Sequence, residues 1–297
     1  MKKILIFTLL LIACKSNTET SISSDFEIGI IADCQYCNCD SQNNRFYRQS
    51  TNKFKSAVEK LNTKKLDYTI HLGDFIDRDF ESFDTVLPIW NSLKSEKFHV
   101  LGNHDFSVSD YLKSLVPKKM GLKNRYYSFI KNNWRFIVLD GNDLSYHGAI
   151  TNTKKKETDS LFNLLKNEDE PNLQTWNGGL SSDQLLWVKE ELNQAKNKNE
   201  YVGFYCHFPA GRNGDSHNLW NYKQFLQLID GYANVKFYFN GHNHNGDYLE
   251  KNNVHHLTFK GMLDTENTSA FATAKFTKDS IFIKGYGREP SRGLKIN

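Results

Sequence analysis

The sequence lacks any apolar run long enough to cross a membrane as a helix. Its longest run, residues 4–13 (ILIFTLLLIA), has ten residues, whereas a membrane-spanning helix needs about 20. Blocks of like charge are also absent, because the lysines are scattered and the formal net charge is only +4 over 297 residues. We therefore expect no nucleic-acid partner.

Cysteine is scarce, and a second closely spaced pair is missing. Of the five cysteines, three lie in residues 34–39 (CQYCNC), and Cys206 stands alone. A structural zinc site normally needs four ligands, so this stretch does not make one by itself. Three arrangements remain open, namely a Cys37–Cys39 disulfide, a disulfide from Cys34 to one of these two, and free thiols.

Internal repeats and interdomain linkers are absent too, so we predict one domain over residues 25–297. The segment before residue 25 has a different composition. Residues 1–14 combine a basic start, an apolar run and a final Leu-Ile-Ala-Cys, which resembles the bacterial lipoprotein signal that is cut before a lipidated cysteine. A plain secretory signal is the alternative. Residues 15–24 are polar and Ser/Thr-rich, as in a flexible tether. We thus expect an exported protein anchored through lipid on Cys14, on the periplasmic or cell-surface side.

From residue 25 onward, apolar strand-like runs alternate with segments of helical periodicity, which predicts an α/β fold. The predicted strands are 26–33, 68–74, 98–105, 135–143, 201–209 and 235–244. The predicted helices are 46–62, 80–94 and 180–198, with an exposed, partly helical insertion at about 151–175. The last third is rich in strands of antiparallel type.

Residues of the types that bind metals stand at the carboxyl ends of these predicted strands or directly after them. They are Asp33, Gln35, Asp74, Asn103, His207, His242 and His244. Functional residues of α/β folds gather beyond the carboxyl ends of strands, so we expect these side chains to meet. Glycines 73, 102 and 241 lie beside them, where tight backbone turns are needed.

The types of ligand predict a site for two metal ions. Asp74 is the natural bridge, because a carboxylate can bind two cations. Asp33, Gln35 and His244 complete one ion, and Asn103, His207 and His242 complete the other. Amide and carboxylate oxygens with imidazole favour Mn²⁺, with Mg²⁺, iron or zinc as alternatives. Two such ions, about 3.5–4 Å apart, can clamp a phosphoryl group and acidify a bound water.

This order of residues resembles the calcineurin-like metallophosphoesterases, whose blocks are D-x-H, GD, GNH[DE], H and GHxH. Here the blocks read Asp33-x-Gln35, Gly73-Asp74, Gly102-Asn103-His104-Asp105, His207, and Gly241-His242-Asn243-His244. One position departs, since Gln35 stands where most members have histidine. The manganese-dependent ADP-ribose/CDP-alcohol diphosphatases carry glutamine there, and further segments resemble that branch. These segments are 45–48, 176–179, 184–187, 220–222 and 287–292.

The resemblance implies a fold and a reaction. The fold is a four-layer α-β-β-α sandwich, two mixed sheets flanked by helices. The reaction is hydrolysis of the phosphoanhydride bond of nucleoside diphosphate derivatives such as ADP-ribose or CDP-alcohols, by a hydroxide between the two ions. His104 then faces the leaving oxygen, and Asp77 orients its imidazole. The alternatives are another phosphoesterase (phosphomonoesterase, phosphodiesterase or nuclease) and a binding protein without activity.

Substrate contacts are predicted from the branch segments and from nearby aromatic residues. The candidates are Arg45, Arg48, Asn177, Gly178, Phe208 and Trp220. A solvated helix face is the alternative for the arginines, and core packing is the alternative for the aromatics. The other histidines are interpreted as structural or surface residues, namely His71, His99, His147, His217, His255 and His256. We expect a monomer that acts on a small nucleotide substrate.

Overall fold

The computed structural model describes residues 25–296. The predictions for the signal, for Cys14 and for the tether concern residues 1–24, which lie outside the described residues, as does residue 297. Within residues 25–296, no helix is both long and apolar enough to cross a membrane.

Fourteen strands run through the described chain. They are β1 Phe26–Ile31, β2 Tyr68–His71, β3 Glu96–His99, β4 Tyr127–Lys131, β5 Trp134–Val138, β6 Leu144–Ser145, β7 Gly178–Gly179, β8 Tyr201–Tyr205, β9 Val235–Asn240, β10 Asp247–Lys251, β11 Val254–Thr258, β12 Ala270–Phe276, β13 Ser280–Gly287 and β14 Arg292–Lys295.

Seven α-helices accompany them within the same range. They are α1 Ser50–Leu61, α2 Ser82–Asn91, α3 Asp110–Lys113, α4 Val116–Lys119, α5 Asn152–Leu165, α6 Ser182–Asn197 and α7 Tyr222–Ile229. Short 3₁₀ turns span His104–Phe106 and Lys166–Glu168. Helix α6 begins as the sequence indicates, because the Ser181 side chain accepts a hydrogen bond from the Gln184 amide.

The strands form two six-stranded mixed sheets and a two-stranded ladder of β6 with β7. The first sheet has the order β14-β13-β12-β1-β2-β3, with β1, β2 and β3 parallel and β12, β13 and β14 antiparallel. The second has the order β10-β11-β9-β8-β5-β4, and its four central strands are parallel. Parallel central strands bring the loops that follow them to a common edge of each sheet.

The two sheets face each other across an aromatic core. Phe26 of the first sheet meets Phe136 of the second edge to face, with ring centroids 6.1 Å apart. The residues of this core include Ile28, Ile30, Tyr205 and Phe237, each fully buried. Strands that are buried on both faces read as nearly continuous apolar runs, which explains why they could be recognised in the sequence.

Helices cover both outer faces. Phe54 of α1 and Trp90 of α2 pack on the first sheet around Ile31. Val188 of α6 and Phe225 of α7 pack on the second sheet. The four-layer α-β-β-α sandwich is therefore confirmed.

The elements deviate from the sequence pattern in a few places. Strand β4 was not predicted, because its side chains are only half-buried and do not form an apolar run. The strand-rich last third is not purely antiparallel, since β11 pairs antiparallel with β10 but parallel with β9. The insertion is helical over α5, where Thr158 alone is buried.

Candidate metal centre

The loops that follow β1, β2, β3, β8 and β9 converge at one edge of the two sheets and surround a cavity of about 310 Å³. Its lining comprises Arg45, Asp74, Asn103, His104, Trp176, His217, His242 and His244. The loops at the carboxyl ends of strands from both sheets thus build one site, as expected of an α/β fold.

Several of the predicted ligands have a left-handed backbone. The φ angles are 51° at Asp33, 45° at Gln35, 54° at Asp74 and 69° at His242. Aspartate and histidine are enriched among the non-glycine residues found in this region, whereas glutamine is uncommon there. Such conformations persist where the surroundings enforce them and cluster at functional sites.

Glycines allow the ligand-bearing loops to touch. A Cβ atom on Gly102 would lie 2.1 Å from the backbone nitrogen of Asp74. One on Gly241 would lie 2.5 Å from Oδ2 of Asp33. No larger residue fits at either position without moving a ligand.

Four of the predicted ligands form one group of converging atoms. His207 Nε2 lies 3.2 Å from Asp74 Oδ2, 3.1 Å from Asn103 Oδ1 and 3.1 Å from His242 Nδ1. Asp74, Asn103 and His207 are at least 98% buried, with exposures of 1%, 2% and 0%. Two imidazole nitrogens, a carboxylate and an amide oxygen around one point make up a donor set for a divalent cation.

In His207 and His242, a hydrogen bond to one ring nitrogen determines that the other nitrogen faces the point where the ligand atoms converge. His207 Nδ1 donates to the carbonyl of Leu72 over 2.8 Å. His242 Nε2 lies 2.8 Å from Asn177 Oδ1 and donates to it. The opposite nitrogens, Nε2 of His207 and Nδ1 of His242, are therefore free to bind a metal, as is usual for histidine ligands with fixed tautomers.

Asp33 and His244 form a second group next to the first. His244 Nε2 lies 3.5 Å from Asp33 Oδ1, and His244 Nδ1 donates to Asp264 Oδ1 over 2.9 Å. Asp33 is fully buried. This is again a carboxylate beside an imidazole that a second carboxylate orients.

Gln35 is buried beside these groups with one unpaired oxygen. Its Nε2 donates to Asp77 Oδ1 over 2.8 Å. Its Oε1 has no hydrogen-bond partner among residues 25–296. A buried acceptor without a partner is costly unless a cation or a water completes it. The amide oxygen of Gln35 thus fits a metal ligand in the position where histidine is usual.

The cavity also holds the predicted pair of His104 and Asp77. His104 Nδ1 lies 3.2 Å from Asp77 Oδ1 and 3.1 Å from the Asp77 carbonyl. Arg78 closes the other side of the Asp77 carboxylate at 2.5 Å. Asp77 therefore holds both Gln35 and His104, and the His104 imidazole presents Nε2 to the cavity.

Charges in the cavity shift several pKa values in the metal-free protein. Burial lowers the pKa of His207, but the carboxylates of Asp74 and Asp33 outweigh it and raise the value to about 9. Asp264 and Asp33 likewise raise the pKa of the buried His244 to about 9. Burial and the neighbouring His207 lower the pKa of His242. The pKa of each of these imidazoles therefore depends on the charges of the neighbouring side chains.

The pKa of His104 is also raised. Burial by itself favours the neutral imidazole, but the carboxylates of Asp74 and Asp77 outweigh this effect. A raised pKa keeps a proton on the ring, which suits a residue that gives a proton to a leaving group.

Asp105, which sequence reasoning passed over, braces the loops under the site. Its carboxylate accepts hydrogen bonds from the amides of Phe75, Ile76 and Gly102, at 2.8, 3.2 and 2.8 Å. Burial and the nearby Asp74 nevertheless raise its pKa to about 7. Its position inside the GNHD block was the available signal.

The predicted substrate residues divide into two sets. Arg45 lines the cavity. Arg48 does not, because its guanidinium is exposed and binds Asp40 Oδ1 at 2.5 Å and Asn38 Oδ1 at 2.7 Å. Asn177 is fully buried behind His242 and holds that ring. The predicted close contact of Asn177 with substrate is therefore replaced by a contact with a metal-ligand candidate.

Gly178, Phe208 and Trp220 also lie outside the lining. Gly178 pairs with Ser145 in the small β6–β7 ladder. Phe208 is fully buried, with its ring against His207 and His242. Trp220 is 3% exposed and donates from its indole nitrogen to the Gln174 carbonyl. Packing thus accounts for these residues, and the prediction of substrate contacts was wrong for them.

Two cavity residues were missed as substrate candidates. Trp176 packs against both His217 and His242, with ring centroids 5.1 and 5.2 Å apart. It precedes the Asn177-Gly178-Gly179 segment, which was a usable signal. His217, interpreted above as structural or surface, instead lines the cavity, and nothing in its local sequence marks it. His71 is a core residue as predicted, being fully buried.

The cysteines do not form a thiolate metal site. Cys37 and Cys39 are joined by a disulfide, the first of the three open arrangements. Cys34 and Cys206 are free and buried, and burial raises the pKa of each thiol to about 12. The loop that begins at Asp33 therefore contributes oxygen atoms to the site rather than sulfur.

Known proteins resemble this chain in sequence and fold. The family model for calcineurin-like phosphoesterases matches residues 26–246. The manganese-dependent ADP-ribose/CDP-alcohol diphosphatase of Xenopus laevis is 30% identical over 91% of this chain and 90% of its own length. Its Homo sapiens counterpart is 29% identical over 94% and 96%.

A solved structure agrees with these relatives. The crystal structure of a dimetal phosphatase from Danio rerio has a TM-score of 0.80 and 26% identity, covering 92% of this chain and 99% of that one. The fold, the order of the ligand blocks and the matched residues lead to the same conclusion. The chain belongs to the calcineurin-like phosphoesterase family.

Proposed function

We propose that the protein is a two-metal hydrolase that cleaves the phosphoanhydride bond of nucleoside diphosphate derivatives, such as ADP-ribose or CDP-alcohols, with manganese as its metal. The observation that carries the proposal is the pair of adjoining ligand groups in one cavity with His104. The relatives named as manganese-dependent ADP-ribose/CDP-alcohol diphosphatases support the choice of substrate and metal.

The residues present fit two divalent cations. Asp74 lies beside His207 in the first ligand group and would serve both ions, and the unpaired Gln35 oxygen would supply a further donor. Asp33, Gln35 and His244 would hold one ion, and Asn103, His207 and His242 would hold the other. When bound, such ions activate water and neutralise charge on the phosphoryl group.

His104 handles the proton of the leaving group in this proposal. The carboxylate of Asp77 favours the protonated imidazole and fixes the ring with Nε2 toward the cavity. Proton donation to the leaving oxygen contributes typically about 10²–10⁴-fold. The leaving group of a diphosphate is itself a phosphate, so a proton donor also reduces charge repulsion in the products.

Arg45 binds phosphate in this proposal. It is the one arginine of the cavity lining, and its planar guanidinium suits phosphate oxygens. Arg48 is the matched control, because it lies three residues away and is held by Asp40 outside the cavity.

A substrate panel tests the proposal. Purified residues 25–297 with Mn²⁺ should convert ADP-ribose to AMP, or CDP-choline to CMP, faster than they hydrolyse p-nitrophenyl esters or nucleic acid. Clear turnover of a monoester or diester with none of any diphosphate would contradict it and assign the protein to another phosphoesterase activity. Asn103→Ala and His104→Ala are the controls against a contaminating enzyme, because both should abolish most of the turnover.

We also propose that the protein acts outside the cytoplasm, anchored by lipid on Cys14. The support is the sequence of residues 1–14 together with the Cys37–Cys39 disulfide, since disulfides persist mainly in oxidising compartments. Cells that express the full chain should incorporate labelled palmitate, and Cys14→Ala should prevent it. A soluble, unlabelled protein from the wild-type sequence would contradict the anchor.

A further inference from the structure

A second histidine–carboxylate pair faces the cavity, apart from His104 and Asp77. His217 Nδ1 lies 2.9 Å from Asp215 Oδ1, and the His217 backbone amide donates to the same oxygen at 2.9 Å. The His217 side chain is 33% exposed, whereas that of Asp215 is 11% exposed. The carboxylate is therefore the fixed member of the pair, and the imidazole is the member that a ligand can reach.

The hydrogen bond to Asp215 defines what His217 offers to a ligand. A carboxylate at Nδ1 holds the proton there. In the neutral ring Nε2 then carries a lone pair and accepts hydrogen bonds. Within residues 25–296, His217 Nε2 has no hydrogen-bond partner, while Nδ1 also lies near Ser216 Oγ. A group with a hydroxyl is the matching ligand.

The loop of His217 is tied to the metal centre. Asn177 Nδ2 donates to the Ser216 carbonyl over 2.7 Å, while Asn177 Oδ1 accepts from His242. The His217 and His242 rings are 5.6 Å apart between centroids. A ligand on His217 thus lies directly beside a phosphoryl group held at the metal centre.

Trp176 completes the same corner with an aromatic face. It is half-buried, lines the cavity and packs against the His217 and His242 rings. Aromatic faces stack on nucleobases, with a contribution that corresponds to about 5- to 100-fold in binding. An aromatic surface next to a fixed hydrogen-bond acceptor matches a nucleoside, which has a flat base and a sugar with hydroxyl groups.

We propose that Trp176 and His217 form the subsite for the nucleoside part of the substrate, with His217 Nε2 accepting a hydrogen bond from a ribose hydroxyl. This inference rests on the proposed function and assigns the selectivity for nucleotides to Trp176 and His217. The remaining cavity residues are the metal-ligand candidates, His104 and Arg45, which serve the phosphates. Selectivity for a nucleotide over a simple phosphate ester then depends on the loops rather than on the metal centre.

The first test compares ribose with deoxyribose. Wild-type protein should cleave CDP-choline with kcat/KM about tenfold above that of its 2′-deoxy or its 3′-deoxy analogue, the size of one hydrogen bond. His217→Phe keeps a flat ring for packing but has no acceptor, so it should remove this preference. Wild-type protein that cleaves all three equally well would overturn the inference, whereas no cleavage of any of them would overturn the proposed function.

The second test measures binding rather than turnover. Calorimetry with Mn²⁺-loaded protein should give CMP affinities that fall about tenfold in His217→Phe and about 5- to 100-fold in Trp176→Ala, with Trp176→Phe in between. Direct Mn²⁺ titration should show both ions still bound in each variant. Loss of an ion from His217→Phe, or unchanged CMP affinity in both His217→Phe and Trp176→Ala, would overturn the inference.

Discussion

The cavity has two walls that are held by different kinds of structure. The metal wall consists of the lining residues Asp74, Asn103, His242 and His244 together with the predicted ligands Asp33, Gln35 and His207, which are fully buried and do not line the cavity. The outer wall consists of Arg45, Trp176 and His217. Residues of the metal wall follow strand ends and are mostly buried, and four have left-handed backbones. Residues of the outer wall lie on loops and are half-buried.

This difference separates the chemistry from its selectivity. A wall fixed by strand ends and close glycine contacts tolerates little change, so its residues keep the order and spacing that identify a family. A wall carried by loops can change while the metal centre stays the same. Asn177 joins the two walls, because it holds His242 on one side and the Ser216 carbonyl on the other.

Removal of the metal should have the largest effect and should not depend on the outer wall. Chelation should reduce diphosphate cleavage to background, and added Mn²⁺ should restore it. Asp74→Asn should not be restored at the same Mn²⁺ concentration, because a neutral amide is a poor bridge between two cations. Bound metal is measured by elemental analysis on the assayed samples. Full activity in chelated protein would contradict a metal-dependent reaction.

Loss of His104 should reduce kcat by about 10²–10⁴-fold, because the leaving oxygen loses its proton donor. His104→Ala is assayed on CDP-choline with Arg48→Ala as the matched control, because Arg48 lies outside the cavity. kcat should fall in His104→Ala alone, with Mn²⁺ binding retained. Loss of bound metal together with the lower kcat would place His104 in the metal wall instead.

Substitution of the residues that orient the histidine ligands should affect the metal wall and the outer wall differently. Asp264→Asn weakens the hold on His244, and Asn177→Ala weakens the hold on His242, so each should cost about 10- to 100-fold in metal affinity or activity. The backbone of Asp264 pairs with that of Arg45, and Asp264→Asn leaves this backbone contact in place. Only Asn177→Ala should therefore also lower the affinity for CMP once Mn²⁺ is saturating, because the Asn177 side chain holds the loop of His217. Equal CMP affinities in the two variants would show that Asn177 does not couple the walls.

Arg48→Ala should have the smallest effect. Its ion pair with Asp40 is exposed, and exposed pairs contribute little to the free energy of unfolding. The measured midpoint of thermal unfolding should hardly change, and kcat/KM for diphosphates should stay at the wild-type value. Arg45→Ala is the matched comparison and should raise KM. A loss of activity in Arg48→Ala as large as that in Arg45→Ala would contradict the placement of Arg48 outside the cavity.

The sequence predicted the layers of the fold, and the residues it marked as ligands lie together in the structure, with His207 beside Asp74, Asn103 and His242 and His244 beside Asp33. Strands buried on both faces give apolar runs, and their ligands follow within a few residues, so local sequence carries this information. It did not predict Asp264, whose contact with His244 joins two loops twenty residues apart. It also misplaced Phe208 and Trp220, because an aromatic residue in the core and one in a cavity look alike in sequence.

His217 shows most clearly why the outer wall escapes prediction. Its role depends on the fixed position of Asp215 two residues earlier and on the Asn177 bridge from a distant segment. The contact with Asp215 is a local Asx turn, which marks a loop but not its place beside a cavity. The contact with Asn177 arises from tertiary packing and becomes visible only when the three-dimensional arrangement is known.

A titration with Mn²⁺ tests the proposed two-metal reaction most directly. Metal-free protein is titrated with Mn²⁺, and bound metal and cleavage of ADP-ribose are measured on the same samples. We expect two ions to bind per chain. The rate at which ADP-ribose is cleaved to AMP should rise as the second ion binds. Full turnover with one ion bound, or two bound ions without cleavage of any nucleoside diphosphate derivative, would contradict it.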